Sequence, residues 1–229
     1  MPNAIIVAGY GPGISHSMAR RFGREGYEVA LVGRNAERTG AGAAKLAEEG
    51  ITARSYSCDL GNQAATRAMV RQVQADIGPV EVLHWNPYST AAGDLTTASP
   101  DELHTTFNVA VTGLMTAVQT ALPDLESTGG AVLVTSGSFA TDDPRINEMA
   151  ARIDYMGFAV SKAAQYKAVN VLHYRLAPAG IFVGQIVVLG TVQRSAADEG
   201  NATIDPDAVA DRFWQLFNER DGISVPFGG

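Results

Sequence analysis

Gly9-Tyr10-Gly11-Pro12-Gly13-Ile14-Ser15 stands between a short apolar run, Ala4–Ala8, and a helical pattern, Ile14–Glu25. Glycines at such a turn let the backbone approach a diphosphate closely. The helix that follows supplies N–H donors and the positive end of its dipole. A Gly-rich string alone is weak evidence. Set after a first strand and before a first helix, it predicts a strand–turn–helix unit that grips phosphate, with Gly9, Gly11, Gly13 and Ile14 as the contacts.

Working outward, the same alternation continues. Val29–Val32, Ala53–Cys58, Val80–Trp85, Ala131–Thr135, Ile181–Val188 and Ile223–Val225 have strand length and are bounded by Gly, Asp, Asn or Pro. Several are apolar nearly throughout, as strands buried on both faces are. Between them, Ala36–Glu49 and Gln63–Ile77 are amphipathic. Ser99-Pro100-Asp101-Glu102 opens a helix with Ser as cap, Pro first and Glu third, and Asp205-Pro206 opens the last one the same way. The pattern predicts an α/β fold: a doubly wound parallel sheet of about seven strands in a three-layer α/β/α arrangement, joined by right-handed crossovers. No linker-like segment divides it, so residues 1–229 read as one domain. Ligands of such sheets bind outside the carboxyl ends of the strands.

The composition sets limits. The chain has 229 residues, 46% hydrophobic and 18% charged, which suits a packed core. Its formal charge of −7 argues against a surface for nucleic acid or an anionic membrane. One cysteine, Cys58, excludes a disulfide framework and a Cys-based zinc site within the chain, and the four histidines lack metal-ligand spacing. No metal is expected. No apolar run is long enough to span a bilayer, and Met1-Pro2-Asn3 lacks the positive start of a signal peptide. The expectation is a reduced, cytoplasmic compartment.

Two loops speak to the nucleotide. After Val32 come Gly33-Arg34-Asn35, with no carboxylate before Glu37. NAD sites usually place a carboxylate here for the ribose hydroxyls. Arg34 instead offers a fork suited to the 2′-phosphate of NADP, so NADP is expected over NAD. The third strand runs into Asp59-Leu60, where a carboxylate can accept a hydrogen bond from an adenine amino group; capping the next helix is its alternative role.

With these features the chain resembles the short-chain dehydrogenase/reductase family along nearly its whole length. Gly9, Gly11, Gly13, Arg34, Asp59-Leu60, Asn86, Asn108 and Ser161-Lys162 fall in the family's order and approximate spacing. The resemblance implies a Rossmann-type domain, a nicotinamide cofactor, a small-molecule substrate and a homodimer or homotetramer built on the long helices. It also implies roles. A tyrosine protonates the oxygen left charged by hydride transfer. A lysine four residues later, here Lys162, holds the nicotinamide ribose. A serine binds the substrate carbonyl, and an asparagine, here Asn108, helps hold a water relay. The residue four before Lys162 is Phe158, which has no proton to give. The chain therefore resembles a divergent branch of the family.

Replacements for the missing groups can be named. Tyr155 lies seven residues before Lys162, nearly on the same helical face, or just ahead of the helix. Tyr88, after the fourth strand, is a weaker candidate, and Tyr166 is expected to pack. The family's serine falls on Gly137, flanked by Ser136 and Ser138, with Ser138 farther into the loop. Asn86 matches a cofactor-side asparagine, and backbone at Gly190 and Thr191 falls where the nicotinamide amide would be met. Gln193–Thr203 reads as a lid. Ser138–Phe158, with Asp142, Asp143, Arg145 and Glu148, reads as a solvated loop or as a reshaped substrate wall. His84 reads as a hydrogen-bonded core residue. The leading expectation is an NADP-dependent oxidoreductase acting on a carbonyl, alcohol or activated double bond with atypical proton delivery. A nucleotide-binding protein without redox turnover is the alternative, and a lyase or isomerase using the same pocket is a third.

Overall fold

A computed structural model of the chain describes residues 3–228. Met1 and Pro2, read above for a leader, and Gly229, the end of the expected domain, lie outside the described residues. The elements run β1 (Ala4–Ala8), α1 (Ile14–Arg24), β2 (Glu28–Gly33), α2 (Ala36–Glu48), β3 (Ala53–Ser57), α3 (Gln63–Asp76), β4 (Val80–Trp85), α4 (Pro100–Phe107), α5 (Gly113–Thr128), β5 (Ala131–Gly137), α6 (Pro144–Arg152), α7 (Met156–Leu176), β6 (Phe182–Val188), α8 (Pro206–Glu219) and β7 (Ser224–Phe227). The sheet has seven strands in the order β3-β2-β1-β4-β5-β6-β7, every neighbouring pair parallel. The order reverses between β1 and β4, so the crevice for a ligand lies over their carboxyl ends.

The apolar runs form strands because both faces of the sheet are covered. Along β1, Ala4, Ile6 and Ala8 pack into one core, with Val70 and Val73 of α3, Leu114 of α5 and Val169 of α7. Ile5 and Val7 pack into the other, with Met18 and Phe22 of α1, Leu46 of α2 and Phe213 of α8. Each fully buried side chain of this size is worth roughly 1.5–3 kcal/mol relative to exposure. The edge strands read differently. β3 is mostly exposed or half-exposed, and β7 carries Pro226, which an edge strand tolerates.

The helix starts follow their caps. Ser99 and Glu102 form a reciprocal capping box at α4, and the Asp205 carboxylate accepts from the Asp207 N–H at α8. Among the described residues no helix is long and apolar enough to cross a membrane. The stretch from Ser138 to Phe158 is not an open loop. It holds a single 3-10 turn, Ser138–Ala140, and then α6, whose Asp143 cap accepts from the Arg145 N–H. The charges there belong to a capped amphipathic helix, whose short apolar face is easily mistaken for loop composition.

Between α4 and α5 the chain makes one π-helical turn, Asn108–Thr112. The wide turn lets α5 begin at Gly113, where a Cβ would collide with the Leu60 carbonyl. Gly113→Ala is expected to destabilise the fold by about 2 kcal/mol or more, because backbone cannot yield as a side chain can. Gly40 in α2 has nothing within 4 Å of such a Cβ, so Gly40→Ala should stabilise by up to about 1 kcal/mol. Urea unfolding of the two variants checks both signs.

Candidate functional site

A cavity of about 950 Å³ opens over the carboxyl ends of the central strands. Every candidate site residue named from the sequence lines it: Gly9, Gly11, Gly13, Ile14, Arg34, Asp59, Leu60, Asn86, Asn108, Ser136, Ser138, Tyr155, Lys162, Gly190 and Thr191. The turn after β1 is fixed from two sides. The Gly9 and Tyr10 N–H groups both donate to the Val32 carbonyl at the end of β2, at 3.0 and 2.9 Å. Ser15 Oγ donates to the Gly9 carbonyl (2.9 Å) and accepts from Asn86 Nδ2 (2.8 Å), which ties the turn to the end of β4. Gly9 has φ +77°, and a Cβ on it would lie 2.5 Å from the Pro87 backbone nitrogen. The Tyr10 ring occupies the gap left by Gly42 of α2, and its hydroxyl pairs with His16 Nδ1 at 2.9 Å. Burial holds the His16 pKa below the ordinary histidine value.

What this bracing leaves open is the start of α1. Its cap, Gly13, makes no side-chain hydrogen bond; the His16 N–H donates to the Gly11 and Gly13 carbonyls, and the Ile14 and Ser15 N–H groups ahead of it have no capping oxygen. Gly11 has nothing within 4 Å of where a Cβ would stand. Bare donors beside open space suit a phosphate group. Above them lies the segment read as a lid. The Gln193 carbonyl is 3.5 Å from where a Gly13 Cβ would stand, and Ser195, Ala196 and Ala197 line the cavity. Arg194 anchors that segment to Asp207 at 3.1 Å and Asp205 at 3.5 Å.

At the end of β2 two guanidinium groups, Arg34 and Arg38, line the cavity, and neither has an ion-pair partner among the described residues. Arg38 was not legible as a site residue. It lies one helical turn beyond Arg34, in the turn capped by Asn35. Asp59 accepts from the Gly61 N–H at 3.0 Å, while the cap of α3 is Asn62. The Asp59 carboxylate stays exposed beside the cavity.

At the other end Lys162 is only 6% exposed. Its Nζ donates to the Thr135 carbonyl (3.1 Å) and to Gln165 Oε1 (2.9 Å), and Gln165 Nε2 donates to the Ala110 carbonyl (2.6 Å). Gln165 thus joins the lysine to the π-helical turn that begins at Asn108. It too was missed: a glutamine three residues after a lysine has no spacing that marks it. Burial lowers the Lys162 pKa to about 8. His84 Nε2 pairs with Thr135 Oγ1 at 2.9 Å; burial, with the Lys162 charge adding to it, lowers its pKa to about 3. It is a neutral core residue.

Phe158 stands one turn ahead of Lys162, where its ring meets Tyr88, Phe139 and Tyr155 at centroid distances of 5.5, 5.5 and 5.6 Å. Tyr155 immediately precedes α7, so it leaves the helical face that spacing alone would assign it. Ser136 is buried and its Oγ has no partner among the described residues. Ser138, in the 3-10 turn beyond β5, keeps a half-exposed side chain.

The profile of the short chain dehydrogenase family matches residues 3–203. The chain is 27% identical over 172 residues to 2,3-dihydro-2,3-dihydroxybenzoate dehydrogenase of Bacillus subtilis (strain 168); the match covers 75% of this chain and 63% of that enzyme, so it spans less than two thirds of the relative's length. It is 23% identical over 227 residues to an uncharacterized oxidoreductase of Staphylococcus aureus (strain MW2), covering 96% of this chain and 93% of the other. A solved short chain dehydrogenase from Burkholderia cenocepacia J2315, in complex with NADP, superposes with a TM-score of 0.84 at 25% identity, over 99% of this chain and 97% of that one. By the profile match over most of its length, this chain belongs to the short chain dehydrogenase family.

Proposed function

We propose that the chain, as one dinucleotide-binding domain, is an NADP-dependent oxidoreductase that moves a hydride to or from a small carbonyl, alcohol or activated double bond. The observation that carries this reading is the uncapped N-terminus of α1, with Gly11 leaving space beside it, in one cavity with Lys162. The residues present fit the dinucleotide. The α1 N–H groups take the diphosphate, Arg34 and Arg38 take a 2′-phosphate, Asp59 meets the adenine, and Gly190 and Thr191 meet the nicotinamide amide. The Burkholderia structure, which holds NADP, supports the same choice.

When bound, the dinucleotide supplies or accepts the hydride. The chain's own residues position and polarise. Lys162 holds the ribose with the ammonium hydrogen that its two internal bonds leave free. Ser138 has the accessible hydroxyl for a substrate oxygen, whereas Ser136 Oγ is shut off from the cavity's solvent. Phe158 donates no proton, so that task falls to Tyr155 or to water. Asn108, opening the π-helical turn, faces the same space. The outer face of α7 exposes Val160, Val171 and Tyr174, which suits a homodimer or homotetramer. The reading without turnover draws on Phe158 and on the partners Lys162 already has within the chain.

Three measurements test this. NADPH should bind more tightly than NADH, and Arg34→Ala should remove about tenfold or more of that preference, the scale of a charge-assisted hydrogen bond. Fluorescence titration reads it, and equal affinities in the unmutated chain contradict the NADP assignment. Gly11→Ala should leave the melting temperature within a degree or two but weaken NADPH at least tenfold, since the added methyl meets only the ligand. The ammonium form of Lys162 predominates below its pKa of about 8, so NADPH affinity should fall as pH rises through that value. Lys162→Met should flatten the profile.

A further inference from the structure

We propose that the end of the cavity around Phe158 takes a flat, uncharged, conjugated carbonyl compound, a quinone or a cyclic enone. The proposal rests on the function proposed above and names its substrate class. Four rings line this wall, Tyr88, Phe139, Tyr155 and Phe158, and all four keep part of their surface out of the core. They brace one another largely edge to face, at 5.5–5.7 Å between centroids. Such a wall offers ring faces and edges to a planar guest, which stacks offset or meets them edge-on. Its rim is open, since Tyr88 is 52% exposed.

Charge narrows the guest further. The charged residues lining the whole cavity are Arg34, Arg38, Asp59 and Lys162. The first three belong to the nucleotide end. Lys162 is already bonded to Thr135 and Gln165, and its one remaining ammonium hydrogen serves the ribose. A carboxylate or phosphate on the substrate would find no cation at the aromatic end, and leaving a charge unpaired there is costly.

Conjugation follows from the missing phenol. General acid help is typically worth about 10²–10⁴-fold in rate when a localised alkoxide must be protonated. A conjugated acceptor needs less. The hydride from the reduced nicotinamide dinucleotide forms a C–H bond at the carbon conjugated to the carbonyl. The C=C π pair shifts to a new double bond at the carbonyl carbon, the C=O π pair moves onto oxygen, and the charge spreads over the resulting enolate. The dinucleotide is oxidised by two electrons and the acceptor reduced by two. Water or Tyr155 then gives the proton; for a quinone, transfer of the ring proton to the second oxygen completes the hydroquinone. For a quinone the product oxygens are phenolic, with a pKa of about 10, so their anions take protons readily from solvent. The substrate carries the stabilisation that Phe158 does not.

Binding of 2-naphthol, a flat and unreactive probe, tests the site without dinucleotide. Its emission should change saturably with the unmutated chain. Tyr88→Ala and Phe139→Ala should each weaken it about tenfold while leaving NADPH affinity unchanged. With NADPH present, 1,4-naphthoquinone should be reduced at least a hundredfold faster than decalone, above a heat-inactivated control. Phe158→Tyr should raise the decalone rate by tenfold more than the quinone rate. No naphthol binding, binding unmoved by both ring variants, or equal rates on quinone and decalone overturns the proposal. A chain that binds naphthol in this way but not NADPH refutes the oxidoreductase reading while leaving the aromatic site in place.

Discussion

The first N–H groups of an α-helix have no partner within the helix and are met by a cap, by water or by a ligand. The start of α1 is held in that condition by the turn before it. Val32 takes the Gly9 and Tyr10 N–H groups, Ser15 and Asn86 lock the Gly9 carbonyl to β4, and Tyr10 is wedged against Gly42. These bonds fix the turn, and the residues that open α1, Gly13, Ile14 and Ser15, line the cavity. The strand order places this end beside the carboxyl ends of β4 and β5, which is why Lys162 and the aromatic wall share the same space.

The second constraint is the burial of an ammonium group. Lys162 is tolerated within a helix otherwise packed on apolar residues because the Thr135 carbonyl and Gln165 meet two of its hydrogens. Gln165 in turn reaches the Ala110 carbonyl, which the π-helical turn presents. The lysine's position is therefore set by β5, by α7 and by the junction of α4 and α5 at once. One turn ahead of the lysine, the Phe158 ring packs against Tyr88, Phe139 and Tyr155 and makes that flank of the cavity apolar.

Much of this could be read before any coordinates. Buried parallel strands are apolar on both faces, so their runs stood out, and their boundaries differ from the structure by a residue or two. Ser99 and Asp205 announced their helices because capping chemistry is local. Most of the candidate site residues lie at strand ends, where a sequence order becomes a spatial ring, while Asn108 and Lys162 come from helical turns that face them. What escaped was tertiary. Nothing in the composition of Pro144–Arg152 separates a short surface helix from a polar loop until α7 is there to pack on it. Gln165 and Arg38 acquire meaning only from what faces them across the fold. Tyr155 has one direction inside a helix and another just ahead of it, and only the break at Met156 decides.

The central claim is that the α1 N-terminus grips the diphosphate of a pyridine dinucleotide. Diffraction from crystals grown with NADPH tests it most directly. The account predicts diphosphate oxygens within about 3.2 Å of the Gly13 and Ile14 N–H groups and a 2′-phosphate between Arg34 and Arg38. A dinucleotide bound elsewhere, or a turn that closes over its own donors while NADPH is saturating, would contradict it.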